Sequence, residues 1–216
     1  MRAPDHHPVS LAGHESIANG RMRLVYRHPD DPGLLIKVIR PEVIPQRWGG
    51  GQPWYKRRRR YRQYISYIRE CEEFIAGCAG GRRAAPFAQK ITGFVETDLG
   101  LGLVMEAVLD ESGNLAPTLG SLVHGKDIGA ELRAEVDAFL EQLIESDLII
   151  ADLNPQNIVR GTAPGGGHRF VVIDGLGLSA ILPFKLIPAI NRASKRKRAI
   201  ALWQRLERFS KIRPDL

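Results

Sequence analysis

The period of the apolar positions changes several times along the chain. Residues 17–26 and 34–39 are short runs rich in Ile, Leu, Val and Tyr, and they predict two strands. Between them, residues 28–33 hold two prolines and a glycine and predict a turn. Residues 41–53 show no period and centre on Gly49, Gly50 and Gly51, which predicts an irregular connection. Over 56–76 the period becomes helical: Tyr61, Tyr64, Ile65, Ile68, Cys71 and Ile75 recur at three- and four-residue spacing, and Gly77, Gly80 and Gly81 mark its end. Residues 93–98 and 101–108 predict a second strand pair with a turn at 98–102, followed by a loop over 110–117.

The second half reads differently. Leu132, Val136, Phe139, Leu140, Leu143, Ile144 and Leu148 make one stripe and predict a helix over 127–148. A loop at 151–157, a short strand at Ile158 and Val159, a glycine-rich turn at 161–167 and a strand at 169–173 follow. That turn lacks the Lys-Ser/Thr ending and following helix of a phosphate-binding loop. The tail predicts a helix over 195–212, with Leu202, Trp203, Leu206 and Phe209 on one side. Strand, strand, helix, strand, strand, then a mostly helical part: the order is α+β, and no internal repeat is present.

Composition narrows the classes. Of 216 residues, 44% are hydrophobic and 25% charged, which excludes global disorder. No run reaches the roughly 18 to 20 apolar residues of a membrane span, and residues 1–8 lack a signal peptide's apolar core, so a cytoplasmic protein is expected. The net charge of +7 comes from two clusters free of acids, 56–62 and 192–198; the remainder is net negative. Such clusters are expected to give weak, salt-sensitive contact with nucleic acid or an anionic membrane. The apolar stretch 178–190 before the second cluster reads as a segment packed into the second half, with membrane contact as the alternative. Cys71 and Cys78 lie two helical turns apart, about 10 Å, too far for a disulfide, and read as buried free thiols.

Candidate chemistry concentrates in residues 151–158, Ala-Asp-Leu-Asn-Pro-Gln-Asn-Ile. Phosphoryl transfer needs an acid to orient the attacking hydroxyl and oxygen ligands for magnesium. Asp152 and Asn157 offer an acid and a carboxamide in one loop, and Asp174 places another acid at the end of a later strand. Asp152 is the catalytic candidate; Asn157 and Asp174 are the metal candidates.

These motifs resemble the catalytic and metal-binding loops of the protein-kinase-like superfamily. Residues 36–38, Ile-Lys-Val, resemble its lysine-bearing strand; residues 17–26 resemble a reduced glycine-rich loop retaining Gly20; residues 103–108 resemble its hinge strand. The resemblance implies ATP and Mg2+ as cofactors, with Lys37 on the phosphates, Met105 lining the adenine pocket, and the Glu106 carbonyl and Val108 amide facing the base. A closer resemblance is to the YrbL family, the PhoP-regulatory-network proteins of bacteria. It rests on residues 20–30, 36–37, 95–98, 155–158 and 181–183 and runs over about 11–210. It points to Glu70 as the partner of Lys37, while the helical wheel favours Glu72.

The implied fold is a small two-lobed protein-kinase-like α+β domain. An N-lobe over 11–108 holds an antiparallel sheet and one helix; a short, mostly helical C-lobe covers 109–216. Ile150 and Ala151 replace the usual His-Arg, Asn154 replaces the catalytic-loop lysine, and Asp-Gly-Leu-Gly at 174–177 is an altered Asp-Phe-Gly. Only 42 residues follow Asp174, which argues against a peptide-directed kinase. The expected activity is ATP-dependent phosphotransfer to a small molecule or head group. The alternatives are a nucleotide-binding pseudokinase and a polyanion-binding protein on a kinase-like scaffold.

Overall fold

The computed structural model describes residues 8–49, 60–79, 85–177 and 186–212. The chain forms two compact units, Met1–Ile68 with Lys90–Ala107, and Arg69–Gln89 with Val108–Leu216. From the sequence, the boundary between the two lobes is expected at 108/109.

The first unit is built on a five-stranded antiparallel sheet. Its strands are β1 (Ala18–Asn19), β2 (Arg23–Arg27), β3 (Leu34–Ile39), β4 (Ile91–Thr97) and β5 (Gly100–Glu106), in the order β1-β2-β3-β5-β4. The single strand expected over 17–26 is two, because Gly20 N donates to the Arg23 carbonyl at 2.9 Å and closes a turn. Central β3 is buried on both faces from Leu35 to Ile39, so its run shows no apolar–polar alternation. Lys37 lies opposite Val25 and Leu103, and Leu35 opposite Met105. Residues paired across strands share a face, so Lys37 and Met105 stand on the same side of the sheet. Ile36, Val38, Tyr26 and Val104 pack with Leu11 on the other side.

Two helices correct the sequence reading. A short helix, α1 (Val43–Trp48), occupies part of the stretch expected to be irregular. The long helix α2 is Ile65–Cys78, after a 3-10 turn at Arg62–Tyr64; the expected start at 56 lies outside the described residues. Its buried side is also different. Tyr67, Glu70, Glu73 and Gly77 are buried, while Ile75 is 63% exposed and Glu72 is exposed. The apolar stripe misled because this helix buries carboxylates. Tyr67 sets its hydroxyl 2.8 Å from the Lys37 carbonyl, tying α2 to β3. Cys71 is half-buried and Cys78 exposed, both free, which corrects the expectation of two buried thiols.

The second unit contains α3 (Leu119–Val123), α4 (Ala130–Glu145), the hairpin β6 (Ile158–Thr162) and β7 (His168–Val172), and α5 (Pro188–Lys211). α3 has no counterpart in the sequence reading; Thr118 caps it, accepting from Ser121 N at 3.0 Å. α4 buries Val136, Phe139, Leu140 and Leu143 against Ile158, Phe170 and Val172 of the hairpin and Leu202 and Leu206 of α5. α5 begins seven positions before the expected helix. Leu186, Ile187 and Ile190 at its start are 64%, 51% and 41% exposed, so the described part of the 178–190 stretch is not packed inside. No helix among the described residues is long and apolar enough to cross a membrane.

Candidate active site

Asp152, Asn157 and Asp174 come together because two loops of the second unit are laced by backbone hydrogen bonds. Ile150 bridges Leu176, Gly177 N donates to Ile149 O at 2.8 Å, and Ala151 N and Asp152 N both donate to Gly175 O at 2.7 and 3.1 Å. On the hairpin side, Ile158 pairs with Val172, and Ile173 N donates to Asn157 O at 2.8 Å. The short β6–β7 hairpin therefore sets the residue before β6 beside the residues after β7. Gly175 makes this approach possible. Its φ is 79°, and a Cβ there would lie 2.4 Å from Asp152 O and 3.3 Å from Asn157 Nδ2. The Asp174 carboxylate accepts from Gly175 N, which fixes the turn. The Asp152 side chain is 54% exposed.

Asn154, at the position of the missing loop lysine, is occupied locally. Its Oδ1 accepts from Gln156 N at 3.2 Å and caps the 3-10 turn Pro155–Asn157. Among the described residues, no group of three or more His, Cys, Asp or Glu could hold a metal ion by itself.

The remaining candidates are placed as follows. Gly20 is exposed in the β1–β2 turn. Lys37 in β3 and Met105 in β5 are 4% and 1% exposed on the same sheet face. Glu106 ends β5; its side chain pairs with Lys90 and its N–H donates to Lys90 O. Val108 is buried in the second unit, where its carbonyl accepts from Ala116 N. Glu70 on α2 is 2% exposed.

Several residues around the loop escaped the sequence reading. Glu73 is buried and accepts from Ile149 N at 2.8 Å, just before the Asp152 loop. Arg198 donates Nε and Nη2 to the Ala151 carbonyl at 3.2 and 3.1 Å. Arg205 sets Nη1 3.3 Å from both Asp152 Oδ1 and the Leu153 carbonyl. Arg198 belongs to the basic cluster 192–198. The available signal was spacing: 191, 195, 198, 202 and 205 step by fours and threes, one face of a helix.

The comparisons with known proteins agree with this architecture. Residues 9–210 match the family described as PhoP regulatory network protein YrbL. The YrbL protein of Escherichia coli strain K12 is 27% identical over 181 residues, 81% of this chain and 76% of that one, as is its Shigella flexneri counterpart. Among solved structures, Rad53 residues 1–466 in complex with AMP-PNP superposes with a TM-score of 0.53 at 17% identity, covering 94% of this chain and 47% of that one. The chain thus spans about half of that structure's length. The kinase domain of Mycobacterium tuberculosis PknI superposes with a TM-score of 0.51 at 17% identity, covering 97% of this chain and 78% of that one. At such identities the likeness shows the fold alone. A five-stranded antiparallel sheet unit, a largely helical second unit and these matches together make the fold protein-kinase-like, and the chain belongs to the YrbL family.

Proposed function

We propose that the protein binds ATP with Mg2+ and transfers phosphate to a small hydroxyl-bearing acceptor. The interlocked loops that gather Asp152, Asn157 and Asp174 carry this reading. Asn157 and Asp174 suit the metal. Magnesium prefers oxygen ligands and is held by one or two carboxylates together with substrate phosphates, not by a dedicated protein cage. When bound, it would neutralise charge on those phosphates. Asp152, exposed beside them, orients the acceptor hydroxyl.

Lys37 is assigned to the phosphates and Glu70 to Lys37. Both side chains are nearly fully buried, and a buried charge is tolerated only when paired. The exposure of Glu72 supports Glu70 over it. Met105 is assigned to the adenine, with the Glu106 carbonyl, the Val108 amide and the turn at Gly20 completing the nucleotide contacts. A small acceptor fits because only residues 178–187 separate the Asp174 loop from α5, too short a segment for a peptide-docking platform. A second reading, nucleotide binding without transfer, is favoured by Asn154, which brings no charge to the loop.

The first test is thermal unfolding with Mg-ATP, Mg-ADP and Mg2+ alone. Ligand at a hundred times its Kd stabilises by about 2.7 kcal/mol, or roughly 5–10 °C for a chain of this size. Asp174→Ala should abolish most of the magnesium-dependent shift, and Asp152→Ala should leave it largely intact. Equal loss in both variants would mean the roles of the two loops are misassigned. ATP turnover lost in Asp152→Ala separates transferase from binder.

A further inference from the structure

One face of α5 reads off the backbone of the segment that carries Asp152. Asn191 Nδ2 is 3.3 Å from the Asp147 carbonyl and 3.2 Å from the Leu148 carbonyl. Lys195 Nζ donates to the Leu143 and Ser146 carbonyls, Arg198 holds Ala151 and Arg205 holds Leu153. Three of these four side chains are spent on the protein itself. Lys195 is 1% exposed, and Arg198 uses Nε and Nη2 on Ala151 and Nη1 on Ser194.

Arg205 differs. Only its Nη1 is engaged among the described residues, and its side chain is 42% exposed. An exposed ion pair such as Arg205–Asp152 adds little stability, roughly 0–1 kcal/mol. The contact therefore matters more for the charge it places than for the fold. A guanidinium has five N–H donors in a planar fork suited to phosphate oxygens. With one nitrogen anchored on Leu153 and Asp152, the other donors remain available beside a loop whose own side chains are acidic or neutral.

We infer that Arg205 is a phosphate-binding residue. It presents its unused donors to the terminal phosphate of a nucleoside triphosphate and supplies, from the last helix, the positive charge that Asn154 does not bring. This rests on the nucleotide-binding reading above. It converts α5 from a packing helix into part of the site.

The distinguishing readout is the preference for triphosphate over diphosphate. Titration of the full chain with Mg-ADP and with a magnesium-bound non-hydrolysable ATP analogue gives two dissociation constants for each variant. In Arg205→Gln the triphosphate affinity should fall roughly tenfold, the scale of one charge-assisted hydrogen bond, with diphosphate affinity nearly unchanged. Arg198→Gln, which alters only the scaffold, should lower the melting temperature and leave the ratio of the two constants as it is. Should Arg205→Gln fold poorly, Arg205→Lys takes its place: an ammonium lacks the fork, so a lowered ratio supports the assignment and an unchanged one overturns it. Equal weakening of both nucleotides in Arg205→Gln, or of neither, also overturns it. Failure of the wild type to bind either nucleotide refutes the underlying reading, and is seen without any variant.

Discussion

At the residue scale, glycine geometry decides how the candidate site is assembled. Gly175 and Gly177 both have positive φ, 79° and 84°, and neither has room for a side chain. At Gly177 a Cβ would lie 2.9 Å from the Arg69 carbonyl; at Gly175 it would lie 2.4 Å from that of Asp152. A left-handed conformation costs a non-glycine residue roughly 1–2 kcal/mol before any clash. Gly175→Ala should therefore destabilise by more than this and push Asp152 away from Asp174. Gly165, at φ 93° in the β6–β7 turn, has open space around it and provides the control. Gly165→Ala should carry only the conformational cost and leave Mg-ATP stabilisation intact. Paired melting curves with and without Mg-ATP check both. Equal effects of the two substitutions would show that the close approach at Gly175 is not what holds the loops.

At the element scale, the contact between α4 and α5 contains one buried lysine. The Lys195 ammonium lies at the C-terminal end of α4, where the helix dipole favours a cation. Burial nevertheless pushes its ammonium down from 10.5 to about 8; the carboxylates of Asp147, Glu145 and Glu73 oppose the shift and Arg192 adds to it. The sign follows from linkage. Between about 8 and 10.5 the unfolded chain holds this proton and the folded one does not, so stability rises with pH there, and the gain is lost as pH falls through 8. Urea midpoints for the wild type and Lys195→Met should therefore diverge in favour of the wild type between pH 7.5 and 10. A constant gap would show that the bonds to Leu143 and Ser146 hold the charged form without penalty. The same helix shows where sequence reasoning stops. Patterning located α4 and the strand pairs because the apolar residues of each point at the core of its own unit. It found α2 and α5 as helices but missed the start of α5 and the polar part of both buried faces, which carry Glu70, Glu73, Asn191 and Lys195. Buried polar groups are satisfied by partners distant in sequence, which a periodicity count cannot register. That the loop of Asp152 and Asn157 lies beside the turn at Asp174 was legible because one short hairpin joins them. Arg198 and Arg205 were not legible as neighbours of that loop, since 47 and 53 positions separate them from their partners.

At the scale of the whole molecule, the +7 charge is less available than the sequence suggests. In the second cluster, Lys195 and Arg198 hold backbone carbonyls, and Arg192 and Arg196 each lie 3.6 Å from Glu145. Lys197, exposed, is the remaining member. Most of the first cluster lies outside the described residues; Arg60 within it stacks over the Tyr61 ring at 6.0 Å. Any polyanion binding should then draw mainly on residues 56–62. Each phosphate neutralised contributes about −0.9 to the slope of log affinity against log salt on duplex DNA. A variant with Arg196 and Lys197 both changed to Ser should shift that slope by about one or less, since Glu145 already screens Arg196. Changing residues 57–60 from Arg to Ser should remove most of the slope, and anionic vesicles should compete with DNA, because phosphate contacts carry no base information. Fluorescence anisotropy over a salt series reads all of these. If Arg196 and Lys197 account for half the slope or more, the last helix serves an external anion as well as the Asp152 loop, and its basic residues cannot be read as scaffold. A slope that survives both variants would place the binding surface elsewhere on the chain.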